Sequence, residues 1–174
     1  MGFLRKYFGK EKEISSPERF LVEHERFGNC VFERGKDGDL VRLVEGISRI
    51  PFGKYEDVEL DMEVPEGRIG EAFQCLGHVY DGQEKFINKF YEGIRSFCEE
   101  WEETDSRGND ITMETVEKNG SLFRIQVRES WRGNLIVALR GMMSDDAGKD
   151  LLGCHSVIAE INCETDEVEY DLEG

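Results

Sequence analysis

QEKFINKFYEGIRSFCEEWE, residues 83–102, carries the strongest periodic signal in the chain. Phe86, Ile87, Phe90, Ile94, Phe97, Cys98 and Trp101 recur at three- and four-residue steps, which puts them on one face of an α-helix. Lys85, Lys89, Glu92, Arg95, Glu99 and Glu100 fill the rest of the wheel. A stripe this aromatic needs a broad apolar surface to lie on, and a sheet supplies one. Burying each large side chain is worth roughly 1.5–3 kcal/mol before ordering entropy is subtracted. The helix is therefore a core element and shows no catalytic pattern.

Upstream of it, Ile69, Ala72, Phe73, Leu76, Val79 and Tyr80 predict a first helix that breaks at Asp81-Gly82. Gly70 and Gly77 weaken that helix or permit close packing. Residues 57–64 alternate strictly: Val58, Leu60, Met62 and Val64 against Asp57, Glu59, Asp61 and Glu63. That is a strand with one face for the core and a row of carboxylates on the other, ended by Pro65-Glu66-Gly67. Residues 40–50 are β-prone, with a bulge expected at Gly46 and closure at Pro51 and Gly53. Cys30-Val31-Phe32 predicts a brief strand that stops at the turn Gly35-Lys36-Asp37-Gly38. Ser16-Pro17-Glu18 reads as a helix start with Ser16 as N-cap, giving a short helix before Phe27-Gly28. Residues 1–15 form a basic N-terminal segment and 16–174 one domain. The opening MGFLRKYFGK is too short to anchor at a membrane surface alone, and Lys6 stands where a myristoylation motif needs Ser or Thr.

Downstream, residues 104–110 are a polar link. Residues 111–118 are two-sided: Ile111 and Met113 alternate like a strand, while Thr112 suits the cap of a short helix. Asn119-Gly120 is the best local hairpin signal and favours strand on both sides. Residues 122–128 place Phe123, Ile125 and Val127 on one strand face. Residues 135–139 are a near-continuous apolar run, expected at the sheet centre. Residues 142–150 form a loop containing Ser144-Asp145-Asp146. The last pair, 151–161 and 167–172, sends Val168, Tyr170 and Leu172 one way and Glu167, Glu169, Asp171 and Glu173 the other. The order predicts an α+β fold: an antiparallel sheet with two consecutive helices packed on one face.

Charge narrows the function. Acidic residues number 38 against 22 basic, a net charge of −16, so phosphate-directed binding to nucleic acid meets a field of the wrong sign. The same field attracts basic proteins. Five cysteines, Cys30, Cys75, Cys98, Cys154 and Cys163, are odd in number and scattered, with no signal peptide ahead of them. They fit free thiols in a reducing cytoplasm, and no apolar run is long enough for stable membrane insertion.

No enzyme signature emerges. Cys75, His78, Cys154 and His155 are the residue types of a zinc or thiol site and define the alternative of a metal-dependent or thiol enzyme. Yet no Cys-x-x-Cys or His-x-x-x-His pair exists, and neighbouring Cys154 and His155 point to opposite faces of a strand. There is no nucleophile elbow, no phosphate-binding glycine pattern and no EF-hand spacing, so no catalytic residue, metal or cofactor is assigned. Two carboxylate groups remain. Glu56, Asp57, Glu59, Asp61, Glu63 and Glu66 form one; Glu160, Glu164, Asp166, Glu167, Glu169, Asp171 and Glu173 form the other, with no Lys or Arg between Ala159 and Gly174. Such rows block edge-to-edge aggregation, which leaves a cytosolic structural domain as a further alternative, and they also suit capture of a basic protein. Glu56, Asp57, Glu59, Asp61, Glu63, Glu164, Asp166, Glu167, Glu169 and Asp171 are the candidate partner-binding residues.

From Phe27 onward a further likeness joins these features. A Phe27-Gly28 strand, a helical middle, and Leu152-Gly153-Cys154-His155-Ser156-Val157 before an acidic strand ending in Gly174 resemble small bacterial domain-of-unknown-function families. Several of those families are linked to toxin-immunity loci. The resemblance implies an immunity or antitoxin-type inhibitor that neutralises a basic toxin domain such as a nuclease, and it carries over no catalytic residue.

Overall fold

The structure, a computed structural model, describes residues 17–35, 39–44 and 48–174. The 1–15 segment, the Ser16 cap, residues 36–38 of the expected turn and Gly46 lie outside the described residues. Apolar alternation builds an N-terminal meander of β1 (Arg19–His24), β2 (Gly28–Arg34), β3 (Leu40–Leu43), β4 (Arg49–Phe52) and β5 (Tyr55–Pro65). Then come α1 (Ile69–Asp81), α2 (Gln83–Glu100) and α3 (Met113–Asn119). A second meander of β6 (Gly120–Glu129), β7 (Leu135–Met143), β8 (Ser156–Asn162) and β9 (Val168–Glu173) completes the chain. The nine strands make one sheet in the order β1-β2-β3-β5-β6-β7-β8-β9, with β4 also pairing β5.

The expected α+β architecture, with helices covering one sheet face, is present. The sheet is mixed rather than wholly antiparallel, because β5 and β6 pair in parallel. The helices account for this: a strand that leaves through a helical crossover returns beside itself in the same direction. β7 is interior, between β6 and β8, as its apolar run demands.

The buried residues of α2 include Phe86, Ile87, Phe90, Ile94 and Cys98, but also Tyr91 and Gly93. Trp101 does not join them. It is 41% exposed, at the C-terminal cap of the helix, with its ring edge-on to His155. Gly93 is buried because the Tyr170 ring of β9 lies where its Cβ would be, 2.5 Å away, and the Tyr170 hydroxyl donates to the Lys89 carbonyl at 2.9 Å. α1 sends Phe73 into an aromatic cluster with His24, Phe27 and Phe32.

Several local expectations give way, among them a last strand pair that begins at Ser156 and not at 151. Residues 19–24 form a strand, not a helix: Phe20, Val22 and His24 are half-buried while Arg19, Leu21 and Glu23 are exposed, a period of two that pairs with β2. Residues 113–119 form a helix, not a hairpin arm. Thr112 caps it by accepting the Thr115 N–H at 3.2 Å, and Gly120 ends it and starts β6. In β6 a register shift between Leu122 and Arg124 bulges Phe123, so Leu122 joins Ile125 and Val127 in the core. The other bulge lies between Ile50 and Phe52. Pro51 sits within β4, which pairs with β5 alone among the described residues, so that a missing donor is tolerated.

Candidate functional site

The carboxylate row of β5 lies inside the sheet, on the side away from the helices. The parallel register sets Glu59 beside Arg124, Asp61 beside Gln126 and Glu63 beside Arg128. Arg124 binds Glu59 at 3.1 Å, and Gln126 donates to Asp61 at 2.9 Å. Arg49 pairs with Asp57 at 2.8 Å, and Arg42 with Glu63 at 3.6 Å. Asp61 is only 4% exposed, and its Oδ1 has no hydrogen-bond partner among the described residues. Four of the five candidate acids in this group are thus engaged within the chain, and Glu56 makes no ion pair among the described residues. The basic row of β6 that meets them was visible as Arg124-x-Gln126-x-Arg128; nothing in the sequence set it beside β5.

The second group runs from Glu160 in β8 through the β8–β9 turn into the edge strand β9. Asp166 adopts a left-handed φ of 61°, and the Asn162 and Glu167 backbones close the turn. An aspartate tolerates that conformation better than most side chains. Its carboxylate reaches His78 Nε2 at 2.6 Å and Lys85 Nζ at 2.7 Å, tying the turn to α1 and α2. Lys85, then His78, hold the Asp166 carboxyl below its ordinary range. Arg128 engages Glu160 and Arg140 engages Glu173. Glu164, Glu167, Glu169 and Asp171 make no ion pair among the described residues.

A folded-state pKa depressed below the unfolded value stabilises at pH above the unfolded titration and loses that contribution as pH falls through the folded value. The stability difference between the wild type and Asp166→Asn is therefore expected to be at most about 1 kcal/mol near neutrality, since the pair is partly exposed. It should shrink towards zero in acid, below the ordinary carboxylate range. Urea unfolding of both proteins across that range checks this; a difference that grows in acid would refute the ion-pair account.

Two hollows flank this end of the molecule. On the helix side, a cleft of about 290 Å³ is lined by Arg68, Glu71, Gln74, Cys75, His78, Leu135, Cys163 and Glu164. Arg68 is anchored there by Glu71 at 2.8 Å, Glu129 at 2.7 Å and the Gly133 carbonyl at 2.7 Å. On the open-sheet side, a hollow of about 140 Å³ includes Arg128, Trp131, Arg132, Glu160, Glu167 and Glu169 in its walls. Trp131, at the β6–β7 turn, is 87% exposed. The turn is held by Ser130 N–H to the Asn134 carbonyl at 2.7 Å and Gly133 N–H to the Ser130 carbonyl at 2.9 Å. The Arg132 guanidinium stacks 4.6 Å from the Trp131 ring centre. Sequence reasoning passed over Trp131, although a Trp in a turn has no strand face against which to be buried.

A larger cleft of about 560 Å³, between the β4–β5 turn and α2, is lined in part by Lys54, Gln83, Ile87 and Tyr91. Lys54 stacks over Tyr55 and Tyr91 and donates to the Glu117 carbonyl, so its charge is already engaged.

The four residues of the metal or thiol alternative divide. Cys75 and His78 line the 290 Å³ cleft. His155 packs on Trp101, and Cys154 is exposed with φ of 68°. Among the described residues, no three His, Cys, Asp or Glu side chains group as a metal would require. No helix among the described residues is long and apolar enough to cross a membrane. Compared with known proteins, the chain matches no family model, no curated protein and no solved structure.

Proposed function

We propose that this chain is a non-enzymatic binding domain that captures a basic protein, an inhibitor of the immunity or antitoxin type whose target is a basic toxin domain such as a nuclease. The observation that carries the proposal is Trp131, almost fully exposed on a hydrogen-bonded turn beside Glu167 and Glu169. Exposed indoles of this kind dominate protein interfaces, since a rigid aromatic buries much area at little cost in ordering. The net charge of −16 and the unpaired acids Glu164, Glu167, Glu169 and Asp171 supply long-range attraction to a basic surface.

The product of the adjacent reading frame, if basic, is the partner to test. Trp131→Ala is expected to weaken binding by roughly thirtyfold, about 2 kcal/mol, and to leave the fold intact, because the side chain makes little contact in the free protein. Glu167→Gln combined with Glu169→Gln should instead slow association and flatten its salt dependence. Titration calorimetry and stopped-flow binding at low and high salt read both effects. A partner held equally well by the Trp131 variant, with salt-independent association, would reject the proposal.

A further inference from the structure

We propose that Cys75 and Cys163 form a redox-active dithiol, in which a hydroperoxide oxidises Cys75 and Cys163 closes the disulfide. The idea is independent of partner binding. Its basis is where the fold brings these two thiols together. Cys75 sits within α1, and Cys163 follows directly on β8. Both are half-buried and free, and both line the 290 Å³ cleft. Each thiol is close enough to perturb the other's ionisation. The turn carrying Cys163 is held against α1 and α2 by the bonds of Asp166 to His78 and Lys85, so the sulfurs do not depend on a mobile segment to meet.

The surroundings distinguish the roles of the two thiols. The neighbouring Cys163 thiol holds the Cys75 thiol below its usual range; Arg68 and His78 add to this, while burial and Glu71 oppose it. Cys163 is pushed up by the Cys75 sulfur, by burial and by Asp166. A thiol that gives up its proton more readily supplies more of the nucleophilic form, and a neighbour that keeps its proton is poised to resolve it. The other cysteines lack this setting. Cys30 and Cys98 are fully buried; burial raises both, Cys98 to about 11. Cys154 is exposed and lines none of these hollows.

The chemistry balances with the peroxide as oxidant. The Cys75 thiolate attacks a peroxide oxygen and the O–O bond breaks. The departing hydroxide or alkoxide takes a proton from solvent, leaving Cys75 as sulfenic acid, oxidised by two electrons. Cys163 loses its proton and attacks the sulfenic sulfur. The S–O bond breaks, the hydroxyl group leaves as water, and the disulfide forms. The product ties α1 to the β8–β9 turn.

The test uses the full chain carrying Cys154→Ser, so that the exposed thiol does not compete. Hydrogen peroxide is added in equimolar amount, the reaction is quenched with N-ethylmaleimide, and intact mass and peptide maps are recorded. The expected result is two fewer alkylated thiols, mapped as a Cys75–Cys163 bridge and reversed by dithiothreitol. Adding Cys163→Ser should abolish the bridge and leave a sulfenic acid on Cys75 that dimedone traps. Adding Cys75→Ser should slow peroxide consumption at least tenfold. Full alkylation after peroxide, a bridge between any other pair, or dimedone label on Cys163 instead of Cys75 would overturn the proposal. The mapping on the parent protein decides the matter even if a variant folds poorly.

Discussion

Phe90→Ala is expected to lower the unfolding free energy by about 3–5 kcal/mol, the largest single effect among α2 residues. Phe90 is fully buried at the middle of α2, and its ring reaches the backbone of β7 at Gly141. Removing the ring takes away its transfer free energy and leaves a cavity between helix and sheet that neither can collapse to fill. At an m-value of about 2 kcal/mol per molar urea, the midpoint should fall by roughly 2 M, followed by far-ultraviolet circular dichroism. Trp101→Ala, at the exposed end of the same helix, is the control and should cost less than about 1 kcal/mol. Equal losses at the two positions would mean that the stripe is buried along its whole length, contrary to the exposure of Trp101.

Gly141→Ala should destabilise by about 3 kcal/mol by the opposite mechanism, overpacking. A Cβ at Gly141 would overlap the Ser121 carbonyl oxygen and stand 2.5 Å from the Phe90 ring. The first obstacle is backbone, so no rotamer change relieves it. The β6–β7 pairing would have to shift beside its existing bulge. Gly70→Ala is the matched comparison: its Cβ meets nothing within 4 Å. That change should be neutral or stabilise by up to about 1 kcal/mol, because alanine reduces the entropy of the unfolded chain. Urea unfolding of the two variants side by side separates steric conflict from a general effect of replacing glycine.

These two positions show where local reading worked and where it failed. The three- and four-residue spacing of Phe86, Phe90 and Ile94 is a property of the helix itself, so it named the core face before any partner was known. The alternation of Val58, Leu60, Met62 and Val64 did the same for β5. The mistakes fell where two local signals competed. Pro17 suggested a helix start, but the alternation from Arg19 to His24 prevailed because β2 offered a partner for every residue. Asn119-Gly120 suggested a hairpin, but the Thr112 cap made a helix, and glycine served to leave it. Phe123 followed the alternation on paper and left it at a bulge created by pairing with β7.

The candidate site was less legible. Trp131 could have been noticed as an aromatic residue stranded in a turn. The neutralisation of Glu59 by Arg124 and the cleft that Cys75 shares with Cys163 could not have been, since each joins residues far apart in the chain.

By itself, then, the amino-acid order determined the helices α1 and α2, the alternating strands β5 and β9, the net negative charge and the α+β class. Periodicity and charge are local or additive quantities and need no knowledge of neighbours. Only the tertiary structure decided which strand lies beside which, and so which carboxylates are paired, which remain free, and which two of five thiols share a cleft. Those outcomes depend on sheet order and on the parallel return of β6 after the helices, both set by packing the helical face against one side of the sheet.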